Sequence, residues 1–162
     1  MHQLLKSPAL DVDGVLQRHA ATVYRLAYAR SRRQEDAEDI FQEVFLRYVR
    51  SAPKFQSEEH EKAWLIRVTV NYIKTYYSTA EKRHTVSSEN LPEDRSYVQD
   101  DFELMLLALP EDYRVEVHLF YGERMSVRQI AHLVGKSENA VRVRLTRARQ
   151  MLRKSLQGGD RA

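Results

Sequence analysis

The stretch Ser126-Val-Arg-Gln-Ile-Ala-His-Leu-Val-Gly-Lys-Ser-Glu-Asn-Ala-Val-Arg-Val-Arg-Leu-Thr-Arg-Ala-Arg149 reads as a short helix, a tight glycine turn and a second, arginine-laden helix. That is the layout of a helix-turn-helix that docks on DNA. Ser126 is placed to cap the first helix, and Gln129 three residues on completes a capping-box pattern. Ile130 and Val134 face inward, Ala131 is small where two helices must approach closely, and Gly135 supplies a left-handed turn. Ser137 caps the second helix, in which Val141, Leu145, Ala148 and Leu152 form one narrow apolar stripe. From 126 to 156 eight basic residues stand against the single acid Glu138, a net charge of +7 that favours a polyanionic partner. A basic helix on its own reads equally as the solvated face of a bundle. The capped first helix, the small residue and the turn glycine together point to DNA.

Winding the second helix at about 100° per residue gathers Arg142, Thr146, Arg149 and Arg153 on one strip, with Val143, Arg147 and Lys154 beside it. Residues near its N-terminal end, Glu138, Asn139, Arg142, Val143, Thr146 and Arg147, are placed to meet base edges, with Ser137 at the cap. Arg144, Arg149, Arg153 and Lys154 read as grips on phosphate, which add affinity without sequence information.

The whole chain of 162 residues has five Gly and four Pro among abundant helix formers, so an all-α fold is expected. It has no cysteine, which excludes disulfides and thiolate metal sites. The six His residues show no ligand spacing, and neither a metal nor a cofactor is expected. Nothing at the N-terminus resembles a signal peptide, and no apolar run approaches the roughly 20 residues that span a bilayer. The expectation is a cytoplasmic chain with no membrane segment of its own.

Upstream of the opening motif, apolar residues recur at helical spacing from 12 to about 32, from about 35 to 50, and from about 62 to 77. The second of these turns Ala37, Ile40, Phe41, Val44, Phe45 and Tyr48 inward, leaving Asp36, Asp39, Gln42, Glu43, Leu46 and Arg47 outside; Pro53 stops it. Residues 54–61 are charged and read as loop. From 85 to 99 the periodicity vanishes, and from 85 to 103 six acids meet one arginine, a net of −5. The expected architecture is two small helical domains, 1–84 and 102–162, joined by a flexible acidic linker at 85–101. A linker of about 18 residues reaches on the order of 60 Å, roughly 18 base pairs of duplex, so the two modules can occupy separate sites on one DNA. A run from 102 to 109, broken by Pro110, and a helix from 111 to about 123 precede the helix-turn-helix.

The segments Leu109-Pro-Glu-Asp-Tyr-Arg-Val-Glu-Val-His-Leu-Phe120 and Ala140-Val-Arg-Val-Arg-Leu-Thr-Arg-Ala-Arg149 resemble the promoter-binding region four, a winged-helix-like helix-turn-helix, of extracytoplasmic-function (ECF) sigma factors of the sigma-70 family. Asp36-Ala-Glu-Asp-Ile-Phe-Gln-Glu-Val-Phe-Leu-Arg47 and Trp64-Leu-Ile-Arg-Val-Thr-Val-Asn71 are similar to their region two. The resemblance covers nearly the whole chain, in the right order. It implies that the face of Asp36, Asp39, Gln42, Glu43 and Leu46 docks on the clamp helices of the largest subunit of core RNA polymerase, with a further contact to the flap. It implies that Lys54, Phe55, Lys62, Arg67, Asn71 and Lys74 hold the downstream, minus-ten element as a single strand, with Trp64 supporting the loop from the core. The loop at 53–62 would pocket an extruded base, and Lys82, Arg83 and His84 would extend the basic surface. The upstream, minus-thirty-five element would fall to Ser137, Glu138, Asn139, Arg142, Val143, Thr146, Arg147, Arg149 and Arg153. An anti-sigma factor is the further partner implied; no enzymatic activity is.

The sequence departs from the common family pattern at Thr75 and Ser78, where an acid and an arginine are usual, and at Asn139, Ala140 and Val143 in the recognition helix. The competing class is a conventional helix-turn-helix regulator that binds duplex without being a polymerase subunit. Its first module would carry a dimerisation surface or a ligand pocket, and the sequence offers an acidic face instead.

Overall fold

The computed structural model describes residues 11–78 and 101–159. Helices alone make up the regular structure among them: α1 (Val12–Ser31), α2 (Gln34–Ser51), α3 (Glu58–Tyr76), α4 (Asp101–Leu107), α5 (Glu111–Val117), α6 (Val127–Val134) and α7 (Glu138–Gly159), with a π-helical turn at His118–Gly122 after α5. The expected helix from 111 to 123 thus keeps its start behind Pro110 but widens over its last five residues. No strand, and so no β-wing, flanks the helix-turn-helix among the described residues. The acidic linker at 85–101 lies outside them apart from Asp101, which opens α4, as do Lys82, Arg83 and His84.

The N-terminal module is a three-helix bundle whose core is Val15, Val23 and Leu26 of α1, Ile40 and Val44 of α2, and Leu65, Val70 and Ile73 of α3. Only two residues join α1 to α2; Arg32 makes the reversal with a left-handed φ of 59°, and its N–H bonds Tyr28. Helix α3 begins four residues before the apolar pattern places it. Ser57 accepts from the His60 N–H at 3.1 Å, and Glu58, Glu59 and Glu61 crowd the first turn, where the helix dipole favours carboxylates. Charge that reads as loop is therefore the helix start, and the loop shrinks to 52–57.

The shifted start brings Glu61 onto the inward face, one turn before Leu65. Its buried carboxylate takes Nε and Nη2 of Arg18 at 3.1 and 2.9 Å, Nε2 of His19 at 2.9 Å and the Tyr48 hydroxyl at 3.4 Å. All three helices of the module meet in this one group.

In the C-terminal module Leu106, Leu109, Leu119, Ile130, Val141, Leu145 and Ala148 are buried together. The capping box at Ser126 and Gln129 forms in both directions, at 2.9 and 3.1 Å, and Gly135 ends α6 at φ +70°. Ser137 caps α7 by accepting from the Ala140 N–H at 3.0 Å. The modules pack on each other, α1 against α4 and α5, and α3 against α6.

Removing the shared acceptor leaves Arg18, His19 and Tyr48 without their partner. Glu61→Ala is expected to destabilise the chain by about 3 kcal/mol, read as a lower urea midpoint; a change under about 0.5 kcal/mol would show that the network does not hold the bundle.

Candidate nucleic-acid and polymerase interface

Helix α2 turns one stripe outward: Asp39, Gln42, Leu46 and Val49, at intervals of three, four and three. Leu46 is 47% and Val49 45% exposed, large apolar groups that the bundle leaves uncovered. Val49 extends the expected face by a turn. Glu43 sits half-buried beside this stripe, accepting from Arg47 at 3.2 Å, with Arg50 at 3.7 Å. Asp36 does not point outward as expected. It is half-buried and accepts the Tyr76 hydroxyl at 2.6 Å, which also reaches Asp39 at 3.2 Å. Burial, then the bond to Asp36, pushes the Tyr76 hydroxyl well above its ordinary value, so it stays a donor. A buried hydroxyl needs an acceptor, and this one draws Asp36 out of the docking face.

Arg67, Asn71 and Lys74 form the exposed stripe of α3. Arg67 and Asn71 face solvent, but Lys74 donates to the Val134 carbonyl of α6 at 2.9 Å, and Lys62 pairs with Glu123 at 2.8 Å. Two cations assigned to the downstream strand are thus engaged by the C-terminal module. Further along the seam Arg30 pairs with Glu111 at 3.0 Å and lies 4.1 Å over the Tyr77 ring, and Arg25 stands 3.4 Å from Glu103. A cleft of about 710 Å³ separates the modules beside these contacts, with Arg30, Lys74, Glu111 and Arg144 on its walls. Behind it Arg114 is buried, its Nε on the Leu109 carbonyl at 2.9 Å; desolvation, then Arg32 nearby, pulls its pKa down to about 10.

The loop before α3 is built on aromatic contacts. Phe55 meets Tyr48, His60 and Trp64 at centroid distances of 6.3, 5.3 and 5.9 Å, and Trp64 stands edge-on to Tyr48 at 5.9 Å. Trp64 is therefore placed as support for the loop, while Lys54 is exposed. Beside Phe55 is an open recess of about 310 Å³, lined also by Arg18, Gln56, Ser57, Glu58 and Glu61. Neither Arg18 nor Glu61 is among the residues that sequence spacing selects. The only signal for Glu61 is its position four residues before Leu65, which counts only once α3 is known to start at Glu58.

On α7, Ser137, Glu138, Asn139, Arg142, Val143, Thr146, Arg147, Arg149 and Arg153 are all exposed, on faces away from the Val141, Leu145 and Ala148 stripe. Arg144, expected to grip phosphate, turns inward instead. Its Nε lies 2.8 Å from both oxygens of buried Glu116, and its guanidinium packs 4.6 Å from the Tyr113 ring centroid. Lys136 joins the same carboxylate at 2.7 Å. A buried carboxylate keeps its charge only when cations compensate it, and these two are the compensation. Arg149 donates to the Tyr121 hydroxyl at 2.6 Å. Tyr121 borders an apolar groove of about 330 Å³ with Phe102, Met105, Leu106, Val117, Leu152 and Leu156, which sequence spacing does not reveal. No helix among the described residues is long and apolar enough to cross a membrane.

Two helical modules, one with Arg67 and Asn71 exposed on α3 and one with a helix-turn-helix whose arginine-rich second helix faces solvent, present a pair of surfaces suited to nucleic acid. The sigma-70 region 2 family matches residues 15–83, and the sigma-70 region 4 family matches residues 99–152. The ECF RNA polymerase sigma factor SigE of Mycolicibacterium smegmatis is 35% identical over 157 residues, covering 87% of this chain and 60% of that protein. RNA polymerase sigma factor SigV of Bacillus subtilis is 26% identical over 147 residues, with 88% of this chain and 89% of that one covered. Among solved structures, RpoE in complex with the anti-sigma factor NepR from Bartonella quintana has a TM-score of 0.61 at 19% identity, covering 90% of this chain and 95% of that one. CnrH in complex with the cytosolic domain of CnrY has a TM-score of 0.62 at 20% identity, covering 97% and 94%. The two structures share the fold. The chain belongs to the sigma-70 family, among its ECF members. It is a promoter-directing initiation factor and not an enzyme, and its partners are core RNA polymerase and promoter DNA.

Each seam pair keeps one cation partly in solvent, and even fully exposed pairs contribute only roughly 0.2–1 kcal/mol, so two reversals are used to test the seam. Glu103→Lys with Glu123→Lys is expected to lengthen the distance between one fluorophore in each module, measured by energy transfer in 0.1 M salt. An unchanged distance would mean that apolar contact alone holds the modules together.

Proposed function

We propose that the N-terminal module, residues 1–84, binds core polymerase and the downstream element, and that the C-terminal module, residues 102–162, reads the upstream element, the residues at 85–101 acting as linker. The stripe of Asp39, Gln42, Leu46 and Val49 docks on the clamp helices of the largest subunit, Leu46 and Val49 as apolar anchors and Glu43 beside them. Asp36 acts from behind, through Tyr76. The apolar groove at Tyr121 receives the flap. Arg67, Asn71, Lys62 and Lys74 track the single strand, while Lys54 and Phe55 hold the loop edge of its path. Ser137, Glu138, Asn139, Arg142, Val143, Thr146 and Arg147 meet the upstream duplex at its bases, and Arg149 and Arg153 meet phosphate.

The single observation that supports this reading best is the pair of exposed stripes on separate modules, Arg67 with Asn71 on α3 and Arg142 with Thr146 on α7. Because Lys62 and Lys74 are held by Glu123 and Val134, the packed modules must part before the strand can be bound. Docking on core separates them, and an anti-sigma factor opposes that step. The open strand is captured as it forms, so melting draws on binding energy rather than ATP. The work is done in the cytoplasm, where the polymerase is.

Transcription in vitro with purified core polymerase and a promoter library tests this. Gln42→Ala with Glu43→Lys is expected to weaken core binding at least about tenfold, roughly 1.4 kcal/mol, and to spare upstream duplex binding; equal loss of both would contradict the division of labour. Arg142→Ala is expected to relax base preference in the upstream element, whereas Arg153→Ala lowers the salt slope by about one. A chain that neither binds core nor directs initiation would be a conventional regulator.

A further inference from the structure

We propose that Asp36 is a positioning residue for core polymerase binding: it is the principal acceptor of the Tyr76 hydroxyl, and by taking that hydrogen it leaves the neighbouring Asp39 carboxylate free to dock. The proposal rests on the assignment of the α2 stripe to the polymerase. It gives Asp36, which lies off that stripe, a task of its own.

Tyr76 of α3 is buried, and its hydroxyl meets two carboxylates of α2, Oδ1 of Asp36 at 2.6 Å and Oδ2 of Asp39 at 3.2 Å. A phenol has one hydrogen to donate. Burial, then the bond to Asp36, keeps that hydrogen on the tyrosine at neutral pH, so a single donor stands between two acceptors. The distances divide it unequally. A separation of 2.6 Å is that of a strong hydroxyl–carboxylate bond, whereas 3.2 Å lies beyond the ordinary hydroxyl–oxygen range.

The surroundings of the two carboxylates differ in the same sense. Asp36 is half-buried, and its Oδ2 is out of water with no hydrogen bond among the described residues, so the tyrosine is the donor that compensates it. It also stands in the first turn of α2, where the helix dipole favours a negative charge. Asp39, three residues on and therefore adjacent on the helix surface, is exposed. Water can replace the tyrosine at Asp39 and cannot readily do so at Asp36.

The division matters because a buried hydroxyl needs an acceptor. Were Asp39 the only one, it would have to abandon Tyr76 in order to meet a donor on the polymerase, and leaving a buried donor unsatisfied would weaken docking by about five- to 150-fold. With Asp36 holding the hydrogen, Asp39 leaves at no such cost.

The test is the affinity of the full chain for core polymerase, read by the fluorescence anisotropy of a labelled chain. Asp36→Ala is expected to weaken binding by about fivefold or more, because the hydroxyl then falls to Asp39. Asp36→Asn keeps a side-chain oxygen for the hydroxyl and is expected to bind within about twofold of the wild type. Tyr76→Phe removes the hydroxyl and keeps the ring; combined with Asp36→Ala it is expected to restore binding to within about twofold of the wild type. A direct contact between the Asp36 charge and the polymerase predicts the opposite: Asp36→Asn loses as much as Asp36→Ala, and the double variant stays weak. Either result overturns the proposal, and so does an Asp36→Ala chain that binds as the wild type does. Should Asp36→Ala fail to fold, Asp36→Asn decides alone: a loss of about fivefold or more overturns the proposal, and wild-type binding upholds it. Asp39→Ala tests the underlying assignment separately, since unchanged core affinity in that variant removes the docking face itself.

Discussion

Each module is organised around one carboxylate that is out of water and must be compensated by cations. In the N-terminal module it is Glu61, gathering Arg18, His19 and Tyr48; in the C-terminal module it is Glu116, gathering Lys136 and Arg144. Desolvating a carboxylate costs several kcal/mol, so the cations around it are constrained in direction as well as distance. The constraint reaches the surface, because each basic residue drawn to these two groups has its charged end turned toward a carboxylate.

Net charge alone is therefore a poor guide to where DNA binds. The +7 counted from 126 to 156 includes Lys136 and Arg144, which neutralise Glu116, and what α7 presents is Arg142, Arg147, Arg149, Arg153 and Lys154. On α3 the same selection operates through a different partner: Lys62 and Lys74 are taken by Glu123 and by the carbonyl end of α6. The surface free to meet a polyanion in the packed chain is smaller than the sequence implies.

Most of the fold was legible because periodicity records burial. The α7 stripe, the capping box, the turn at Gly135 and the inward face of α2 all follow from spacing and are present as read. What spacing missed has one physical origin. A charged residue is read as exposed unless its partner is known, and the partners are remote: Arg18 is 43 residues from Glu61, Arg144 is 28 from Glu116, and Tyr76 is 40 from Asp36. For the same reason sequence spacing puts Glu61 in a loop, Arg144 on phosphate and Asp36 on a docking face. The groove at Tyr121 escaped because its residues come from four separate segments of the C-terminal module.

The seam between the modules has the character of a reversible contact rather than a second core. Arg30, Arg25 and Lys62 meet Glu111, Glu103 and Glu123 with one or both side chains partly in solvent, and such pairs are individually weak and screened by salt. A cleft of about 710 Å³ lies beside them, so close packing does not extend across the whole junction. Helix α3 contributes to both sides of this balance. Val70 and Ile73 belong to the core that keeps its own module folded, while Lys62 and Lys74, on its outer surface, are held by the C-terminal module near the exposed Arg67 and Asn71. A competing polyanion acts on the second set alone, since nothing in the core of the bundle depends on where those two ammonium groups lie.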